Sequence, residues 1–498
     1  MEEMLQHNYG KNTLITCIED IADKKVTIMG LGLNGGGEAS ARFFLKYGAI
    51  VTITDMKSEA ELASSVQSLK EDTSIDGAKI KWVLGKHEKE DFENADIVIK
   101  NPGVKYSGNQ YLAVAKCIET DLSIFLRLTK SPIIAVTGSK GKSSTVSAIH
   151  YGLNRGGVPS LLGGNITVSP LTFLEKTEEN VPVILELSSW QLSDLRGRGL
   201  LKPKIALITK IVPDHQNWYG NMDAYVADKK LIYADQGPED YTICGADDKW
   251  GDVFASETKG IVIRYPTDNS TDYPEGFPEN LKGDWLDKAV VPGKHMHQNM
   301  LNAALVMHLM KIAPNYIKQI LTIYPGLSHR LEFSHKWNIV DVSYRIFNDS
   351  AATVPEATIA ATTSFTNPIH LICGGTDKNL DFEPLAINLN ELSKGDNPTV
   401  ISIWLLKGTG TDKLIPLLDE RKVAYNGPYD DLKDLLADLR NYSAVCALPS
   451  GSDLSKKGQD SKERTILFSP GATSFGMFSN EFDRGNTFKK LVQSIFVN

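Results

Sequence analysis

The chain has 498 residues, 42% hydrophobic and 23% charged, a globular balance that excludes a disordered or fibrous protein. Lys plus Arg is 53 and Asp plus Glu is 61, so the net charge of −8 argues against a dedicated nucleic-acid binder, which needs a basic footprint. The start, Met1-Glu2-Glu3-Met4, has neither a basic nor an apolar segment, which predicts no signal peptide. No run reaches the roughly 18 apolar residues of a membrane span. Cys17, Cys117, Cys244, Cys373 and Cys446 are dispersed, with no CxxC pair, so they read as reduced thiols in a cytoplasmic protein.

Short runs rich in Val and Ile alternate with helical patterns. In chain order they are Val26–Met29, Ile50–Thr54, Ile97–Ile99, Ile133–Thr137, Val183–Leu187 and Ile205–Thr209, then Ile339–Val342, Ile369–Cys373, Val400–Leu405 and Thr465–Phe468. Continuous apolar runs suit strands covered by helices on both faces, as in parallel α/β sheets. Helices are predicted at Ser143–Leu153 and Gln298–Ile312. Breaks fall near Lys130-Ser131-Pro132 and Tyr324-Pro325-Gly326-Leu327-Ser328. The expected architecture is α/β in three domains: a Rossmann-like domain over 1–130, a central P-loop ATPase-type parallel-sheet domain over 131–327, and a second Rossmann-like domain over 328–498. Polar stretches at about 264–290 and 450–464 read as surface insertions.

Gly30-Leu-Gly32-Leu33-Asn34-Gly35 follows the first strand and fits G-x-G-x-x-G, with Asp55 ending the next strand 20 residues after Gly35. That pattern serves NAD or any other nucleotide diphosphate at a first strand–helix turn, and a tight structural turn is the plain alternative. The stronger signal is Thr137-Gly138-Ser139-Lys140-Gly141-Lys142-Ser143-Ser144, where a buried strand enters a Gly-rich turn and then a helix. Backbone amides of such a turn cradle phosphate, Lys142 reaches the β/γ-phosphates and Ser143 is placed for Mg²⁺. Further on, Gly163-Gly164-Asn165-Ile166, Glu186 with Ser188-Ser189-Trp190-Gln191, and Asp214-His215 all fall at strand ends. A carboxylate and an imidazole on the same rim as Lys142 suit a Mg²⁺–triphosphate site.

Taken in order, these segments resemble the Mur ligases, ATP-dependent amide-forming enzymes of peptidoglycan precursor synthesis, over nearly the whole chain. Gly30–Asn34 and Asn101-Pro102-Gly103 look like the family's UDP-binding turns, and Thr137–Ser144 like its phosphate loop. Tyr225–Lys229 is similar to the helix bearing its carbamylated lysine. Gln298–Asn302, His329-Arg330-Leu331-Glu332 and Asn348-Asp349-Ser350 match its ATP-side segments. Leu371–Lys378 and Ser469–Phe475 match its last domain. Three departures stand out: Ala351 replaces a family lysine, Gly476-Met477 replaces polar residues, and Lys140 replaces an asparagine.

The resemblance implies that a UDP-muramoyl carboxylate is phosphorylated by ATP and then attacked by an amino acid. The expected reaction joins D-glutamate to UDP-N-acetylmuramoyl-L-alanine through an acyl phosphate, with L-glutamate as the alternative. It implies two Mg²⁺ ions on Ser143, Glu186, His215 and Lys229 as a carbamate, with Lys142, Glu186, His215 and Lys229 carrying the chemistry. ATP would sit on Gly138, Ser139, Lys140, Gly141, Lys142, Ser143 and Ser144, completed by Asn299, Asn302, Arg330 and Asp349. The UDP substrate would meet Gly32, Leu33, Asn34, Asp55, Asn101, Gly103, Asn165, Ser188 and Gln191, and the amino acid Thr353, Lys378 and Ser474. A monomer is expected. Rival readings are a folate polyglutamate ligase, which has no need of the first 130 residues, a non-catalytic ATP-binding regulator, and an NAD-dependent oxidoreductase built on Gly30–Asp55, which leaves the second phosphate loop unexplained.

Overall fold

The structure is a computed structural model that describes residues 15–33, 35–166, 168–267, 272–395, 397–447 and 463–497. These form three sheets with helices packed on them, an α/β architecture. The first sheet holds β1 (Lys25–Met29), β2 (Ile50–Asp55), β3 (Ile80–Leu84), β4 (Ile97–Lys100) and β5 (Ile118–Glu119) in the order β3-β2-β1-β4-β5, all parallel. The chain leaves β1 toward one side and returns at β4 on the other. The crevice outside the carboxyl ends of β1 and β4 is therefore a topological switch point, where ligands bind in this kind of sheet.

The second sheet holds β6 (Ile133–Thr137), β7 (Leu161–Gly164), β8 (Val183–Glu186), β9 (Ile205–Ile208), β10 (Tyr241–Gly245) and β11 (Ile261–Tyr265), ordered β11-β10-β9-β6-β8-β7 and again parallel. Its central strands β6, β8 and β9 are buried along their whole length, which explains their unbroken Val/Ile/Leu composition. The switch point lies at the end of β6, where the Gly-rich loop begins.

The third sheet holds β12 (Glu332–Ile339), β13 (Val342–Asn348), β14 (Ile369–Gly374), β15 (Val400–Leu406), β16 (Asn426–Tyr429) and β17 (Glu463–Phe468), ordered β12-β13-β17-β14-β15-β16. Here the expected strand Ile339–Val342 is corrected. Ile339 ends β12, Val342 opens β13, and the two pair across a hairpin turned by Val340 at φ 51°. The apolar pair that read as one buried strand is the closing pair of an antiparallel edge, whose outer strand carries Glu332, Ser334, His335 and Lys336. The remaining pairings are parallel.

The chain separates into two compact units, Met1–Gly283 with Gln298–Ile320, and Asp284–His297 with Leu321–Asn498. The first two sheets share the first unit, and the third sheet makes the second. The helix expected at Gln298–Ile312 runs from Lys294 to Leu309. The 264–290 stretch is not a plain solvated insertion, since Phe277 and Leu281 are buried (5% and 0% exposed). Positions 450–462 of the other polar stretch lie outside the described residues. All five cysteines are free thiols, and no helix among the described residues is long and apolar enough to cross a membrane.

The helix α1 (Gly36–Lys46) packs so tightly on the turn after β1 that a Cβ at Gly37 would collide with the carbonyl oxygens of Gly30 and Leu31. Backbone cannot give way as a side chain tip can. Gly37→Val should therefore cost about 1–3 kcal/mol of stability, measured by urea unfolding, and an unchanged midpoint would show that the turn is not held by this contact.

Candidate active site

Thr137 ends β6, and the loop Gly138–Gly141 leads into α2 (Lys142–Arg155). Gly141 caps this helix at φ 90°, and a Cβ there would fall on the carboxamide oxygen of Asn299. Glycine is thus required both by the left-handed backbone and by the close approach of Asn299. The loop is pinned to the end of β9. The Ser139 amide donates to the Lys210 carbonyl at 2.9 Å, Ser139 Oγ donates to the Val212 carbonyl at 2.9 Å, and Thr209 Oγ1 donates to the Lys140 carbonyl at 2.8 Å. Ser143 and Ser144 occupy the first helical turn, whose amides point out of the helix end. Asn302 is buried and accepts from Gln298 Nε2 at 3.1 Å. Lys140 is exposed, 3.5 Å from Asp214.

Two lysines turn back on this loop. Lys142 Nζ donates to the carbonyls of Gly138 at 2.9 Å and Ser139 at 3.1 Å. Lys229, the last residue of α3 (Met222–Lys229), is 1% exposed and donates to the same Gly138 carbonyl at 2.8 Å. Its ammonium also lies 4.6 Å from the centre of the Tyr225 ring. Burial, and then the neighbouring Lys142 charge, push the Lys229 ammonium down to about 7.

Glu186 ends β8 beside Val136 and is 1% exposed. Its Oε1 accepts from Asn165 Nδ2 at 3.0 Å, while Oε2 is buried with no hydrogen-bond partner. A buried anionic oxygen without a donor is costly unless a cation meets it, so this carboxylate fits a Mg²⁺ ligand. His215 sits at φ 51° before a short helix, exposed, with its ring 5.0 Å from that of Trp190 and 6.2 Å from that of Tyr225. Among the described residues no group of three or more His, Cys, Asp or Glu converges on a point; Mg²⁺ ordinarily takes one or two carboxylates and fills its shell with phosphate and water.

A cleft of about 300 Å³ opens at the switch point of the first sheet. Of the expected UDP contacts, Asn101, Gly103, Asn165, Ser188 and Gln191 line it, together with Gly30, Gly36 and Gly37. Ser188 and Gln191 also form a capping box: the Ser188 side chain accepts from the Gln191 amide at 3.2 Å, and Gln191 Oε1 accepts from the Ser188 amide at 3.0 Å. Gly32, Leu33 and Asp55 lie outside the lining. Asp55 accepts from the amides of Gly32 at 3.1 Å and Lys57 at 2.9 Å, so it holds the turn. Asn34 lies outside the described residues. Sequence reasoning missed Lys100, Asp121, Ser169 and Trp190, which also line the cleft. Lys100 had a local signal, a lysine ending the buried run Ile97–Ile99 just before Asn-Pro-Gly; Asp121 and Ser169, bonded at 2.7 Å across 48 positions, had none.

Arg330, Asp349, Thr353, Lys378 and Ser474 belong to the second unit. Within it, they fall on loops at one rim, at the carboxyl ends of the neighbouring strands β13, β17 and β14 or in the turn leading into β12. Backbone bonds between Thr376 and Thr473 (3.2 and 3.0 Å) tie the loops of Lys378 and Ser474 together. Arg330 and Lys378 are exposed and Ser474 is buried. Sequence reasoning also missed Arg484, 1% exposed, which donates to Ser350 Oγ at 3.0 Å, the Ser350 carbonyl at 2.7 Å and the Ala472 carbonyl at 3.0 Å. Its signal was an arginine in the final amphipathic helix, Glu481–Ile495.

Comparison with known proteins agrees with this fold. A family model described as Mur ligase middle domain matches residues 136–307, and one described as Mur ligase MurD-like, N-terminal domain, matches residues 24–121. The UDP-N-acetylmuramoylalanine–D-glutamate ligase of Treponema pallidum (strain Nichols) is 39% identical, over 95% of this chain and 98% of its own. That of Borreliella afzelii (strain PKo) is also 39% identical, over 96% and 99%. Among solved structures, the UDP-N-acetylmuramate–alanine ligase of Thermotoga maritima superimposes with a TM-score of 0.52 at 17% identity, covering 95% of this chain and 99% of that one, a likeness of fold. MurF from Acinetobacter baumannii does so with 0.52 at 14% identity, covering 95% and 93%. Fold, site and relatives define an ATP-dependent amide-forming ligase. The chain belongs to the Mur ligase family, and membership does not favour the dinucleotide reading of Gly30–Asp55.

Asp349 gives a test of the rim in the second unit. Its carboxylate accepts from the Leu331 amide at 3.1 Å and from Ser469 Oγ at 2.7 Å, yet burial pushes it up to about 7. Between its unfolded value near 4 and about 7 the folded state keeps a proton that the unfolded state has lost, so folding weakens as pH rises through that window. Asp349→Asn removes this dependence. Its melting temperature relative to the native protein should climb between about pH 4 and about pH 8; a constant difference would show that the carboxyl titrates normally.

Proposed function

We propose that the chain adds D-glutamate to UDP-N-acetylmuramoyl-L-alanine in peptidoglycan precursor synthesis, through an acyl phosphate made at the expense of ATP. The observation that carries the substrate assignment is the run of relatives with that name that match over nearly their entire length. We further propose the division of labour 1–130 for the UDP substrate, 131–327 for ATP and 328–498 for the amino acid. Localisation in the cytoplasm and action as a monomer are part of the same proposal.

The chemistry follows from the difficulty of the bond. A carboxylate is a poor acceptor for an amine, so one of its oxygens first attacks the γ-phosphorus of ATP and ADP leaves. The amine of glutamate then attacks the acyl carbon, and phosphate leaves with the carboxylate oxygen. Bringing two anions together needs charge neutralisation and in-line placement. Lys142 would turn from the carbonyls of Gly138 and Ser139 to β/γ-phosphate oxygens, and the amides of Gly138, Gly141, Ser143 and Ser144 would cradle the chain of phosphates, while Ser139 and Lys140, whose amides are bonded to the Lys210 carbonyl, would shape the loop around it. Asn299, Asn302, Arg330 and Asp349 would complete the ATP site. Two Mg²⁺ ions, when bound, supply positive charge along the triphosphate; Ser143 and Glu186 would hold one, and His215 and a carbamylated Lys229 the other. Gly32, Leu33, Asn34, Asp55, Asn101, Gly103, Asn165, Ser188 and Gln191 would hold and shape the UDP end. Thr353, Lys378 and Ser474 would receive the carboxylates of glutamate.

Phosphate release with UDP-N-acetylmuramoyl-L-alanine, ATP and Mg²⁺ tests the reaction against D-Glu, L-Glu, D-Asp, D-Lys and L-Lys. Turnover with D-Glu is expected. Turnover with L-Glu alone would mark a changed stereochemistry at the Ala351 segment, and turnover with lysine alone would overturn the pocket. Lys142→Ala should remove turnover by at least about 100-fold without loss of fold; normal phosphate release by the folded variant would sink the phosphate-loop role.

The Lys229 role is tested through its proton. Only the neutral amine attacks CO₂, and an ammonium pushed down to about 7 becomes neutral as pH rises through that value. With ¹³CO₂, a carbamate resonance should be strong at about pH 8, fade toward about pH 6 and be absent from Lys229→Ala. No resonance at either pH would remove the carbamate from the scheme.

A further inference from the structure

Four charged side chains form two buried pairs between the first sheet and the segment that follows β8. Lys100 ends β4 and Glu119 ends β5, neighbouring parallel strands in which Ile99 stands opposite Glu119. Facing them, on α4 (Ser189–Ser193) and the turns after it, are Asp194 and Arg198, four positions apart. Lys100 Nζ lies 2.9 Å from Asp194 Oδ2, with side-chain exposures of 2% and 9%. Glu119 pairs with Arg198, at 0% and 3%. Arg198 also donates to the Ile118 carbonyl at 3.0 Å, and Glu119 accepts from Ser123 Oγ at 2.6 Å and Arg127 at 3.1 Å.

The signs are crossed. Lysine and glutamate on one side meet aspartate and arginine on the other. A slip of four positions in one direction would set Lys100 against Arg198, and in the other direction Glu119 against Asp194. Buried like charges, or a buried charge with no partner, are strongly unfavourable, so only one seating of the two elements is tolerated. Lys100 is also bound to its own turn, donating to the carbonyls of Asn101 at 3.1 Å and Val104 at 3.0 Å. The ammonium is thus held by two carbonyls of its own turn and by the ion pair with Asp194.

This seating bears on the cleft. Asn101 and Gly103, which follow Lys100, form one wall; Ser188, Trp190 and Gln191, which precede Asp194, form the other. Lys105 of the same turn lies 4.2 Å over the Trp218 ring, itself 4.7 Å from that of Trp190. We propose that the crossed pairs Lys100–Asp194 and Glu119–Arg198 set the spacing of this cleft, and that Lys100 is a positioning residue for the UDP substrate, not a ligand of its diphosphate. The proposal rests on the reading of the cleft as the UDP-substrate site.

The test uses the full chain and phosphate-release kinetics on Lys100→Met, Asp194→Leu and the double variant. Each single change should raise KM for UDP-N-acetylmuramoyl-L-alanine by about tenfold or more, while KM for ATP and kcat at saturation move less than about twofold. The double variant, with two apolar partners in place of a pair, should recover most of the lost KM. A raised KM in Lys100→Met with an unchanged or lowered KM in Asp194→Leu would make Lys100 a direct ligand and overturn the proposal. So would additive losses in the double variant, or native KM values throughout. Asp194→Asn, which keeps shape and acceptor and removes the charge, carries the same comparison where a single apolar change prevents folding. Failure of the underlying reading looks different: the native chain itself would show neither turnover nor a change in tryptophan fluorescence on addition of UDP-N-acetylmuramoyl-L-alanine.

Discussion

Two lysine side chains reach one carbonyl oxygen, that of Gly138, and the first unit is arranged around that meeting. Lys142 arrives from the first turn of the helix after β6, and Lys229 from the end of a helix packed beneath the loop. Two cations drawn to one neutral acceptor repel each other. The repulsion is relieved by an anion, by loss of a proton, or by conversion of one amine to an acid. A phosphate chain supplies the first, and the depressed ammonium of Lys229 shows the protein already leaning toward the second. The unpartnered oxygen of Glu186 adds the opposite need on the neighbouring strand, a buried anion waiting for a cation. On the proposed reading, the positive charge gathered on the loop after β6 and the carboxylate ending β8 together suit a metal–phosphate complex.

Parallel sheets make such a meeting possible without any sequence motif spanning it. β6, β8 and β9 are adjacent and run in one direction, so their carboxyl ends deliver the phosphate loop, Glu186 and the Asp214-His215 segment to one rim. The same logic operates on the first sheet, where the turns after β1 and β4 flank the switch point. Gly30 donates to the Thr54 carbonyl at 2.8 Å and Asn101 to the Met29 carbonyl at 3.2 Å, so each turn is stitched to the strand beside the one that launches it. The helix α4 contributes to both places: its cap residues line the cleft, and Trp190 on it stacks near His215.

How much of this was legible follows from the range of the signals. The phosphate loop and the apolar strands are local patterns, and the sequence displays them in full. Glu186 and His215 could be expected on one rim, at the end of β8 and on the loop after β9, because strand ends are predictable once strands are. The hairpin at Ile339–Val342 was misread because two apolar residues flanking a two-residue turn look like one short buried strand; the antiparallel pairing that distinguishes them is a tertiary fact. Asp55 was expected at the UDP substrate because it ends the second strand; its carboxylate accepts from the amides of Gly32 and Lys57 and so shapes the turn beside the cleft. Lys100, Glu119, Asp194 and Arg198 are unremarkable charges one by one. Their meaning comes from partners 94 and 79 positions away, which no window along the chain reveals.

The second unit carries Ala351, where the resemblance led to the expectation of a lysine. Arg484 is a buried cation bonded to the neighbouring residue, Ser350, but its guanidinium is committed to Ser350 and Ala472. It acts as a floor joining the loops after β13 and β17, and burial holds its charge down to about 10. A cation bonded to three oxygens of its own chain is poorly placed to replace a missing lysine. On the proposed reading, the two carboxylates of the incoming amino acid therefore depend on Lys378, on the hydroxyls of Thr353 and Ser474, and on loop amides. Lysine is a point charge on a flexible stem, and hydroxyls and amides are directional. The pocket would then discriminate less by charge than by where its fixed donors sit, and those donors are positioned by the Thr376–Thr473 backbone bonds and the buried arginine beneath them.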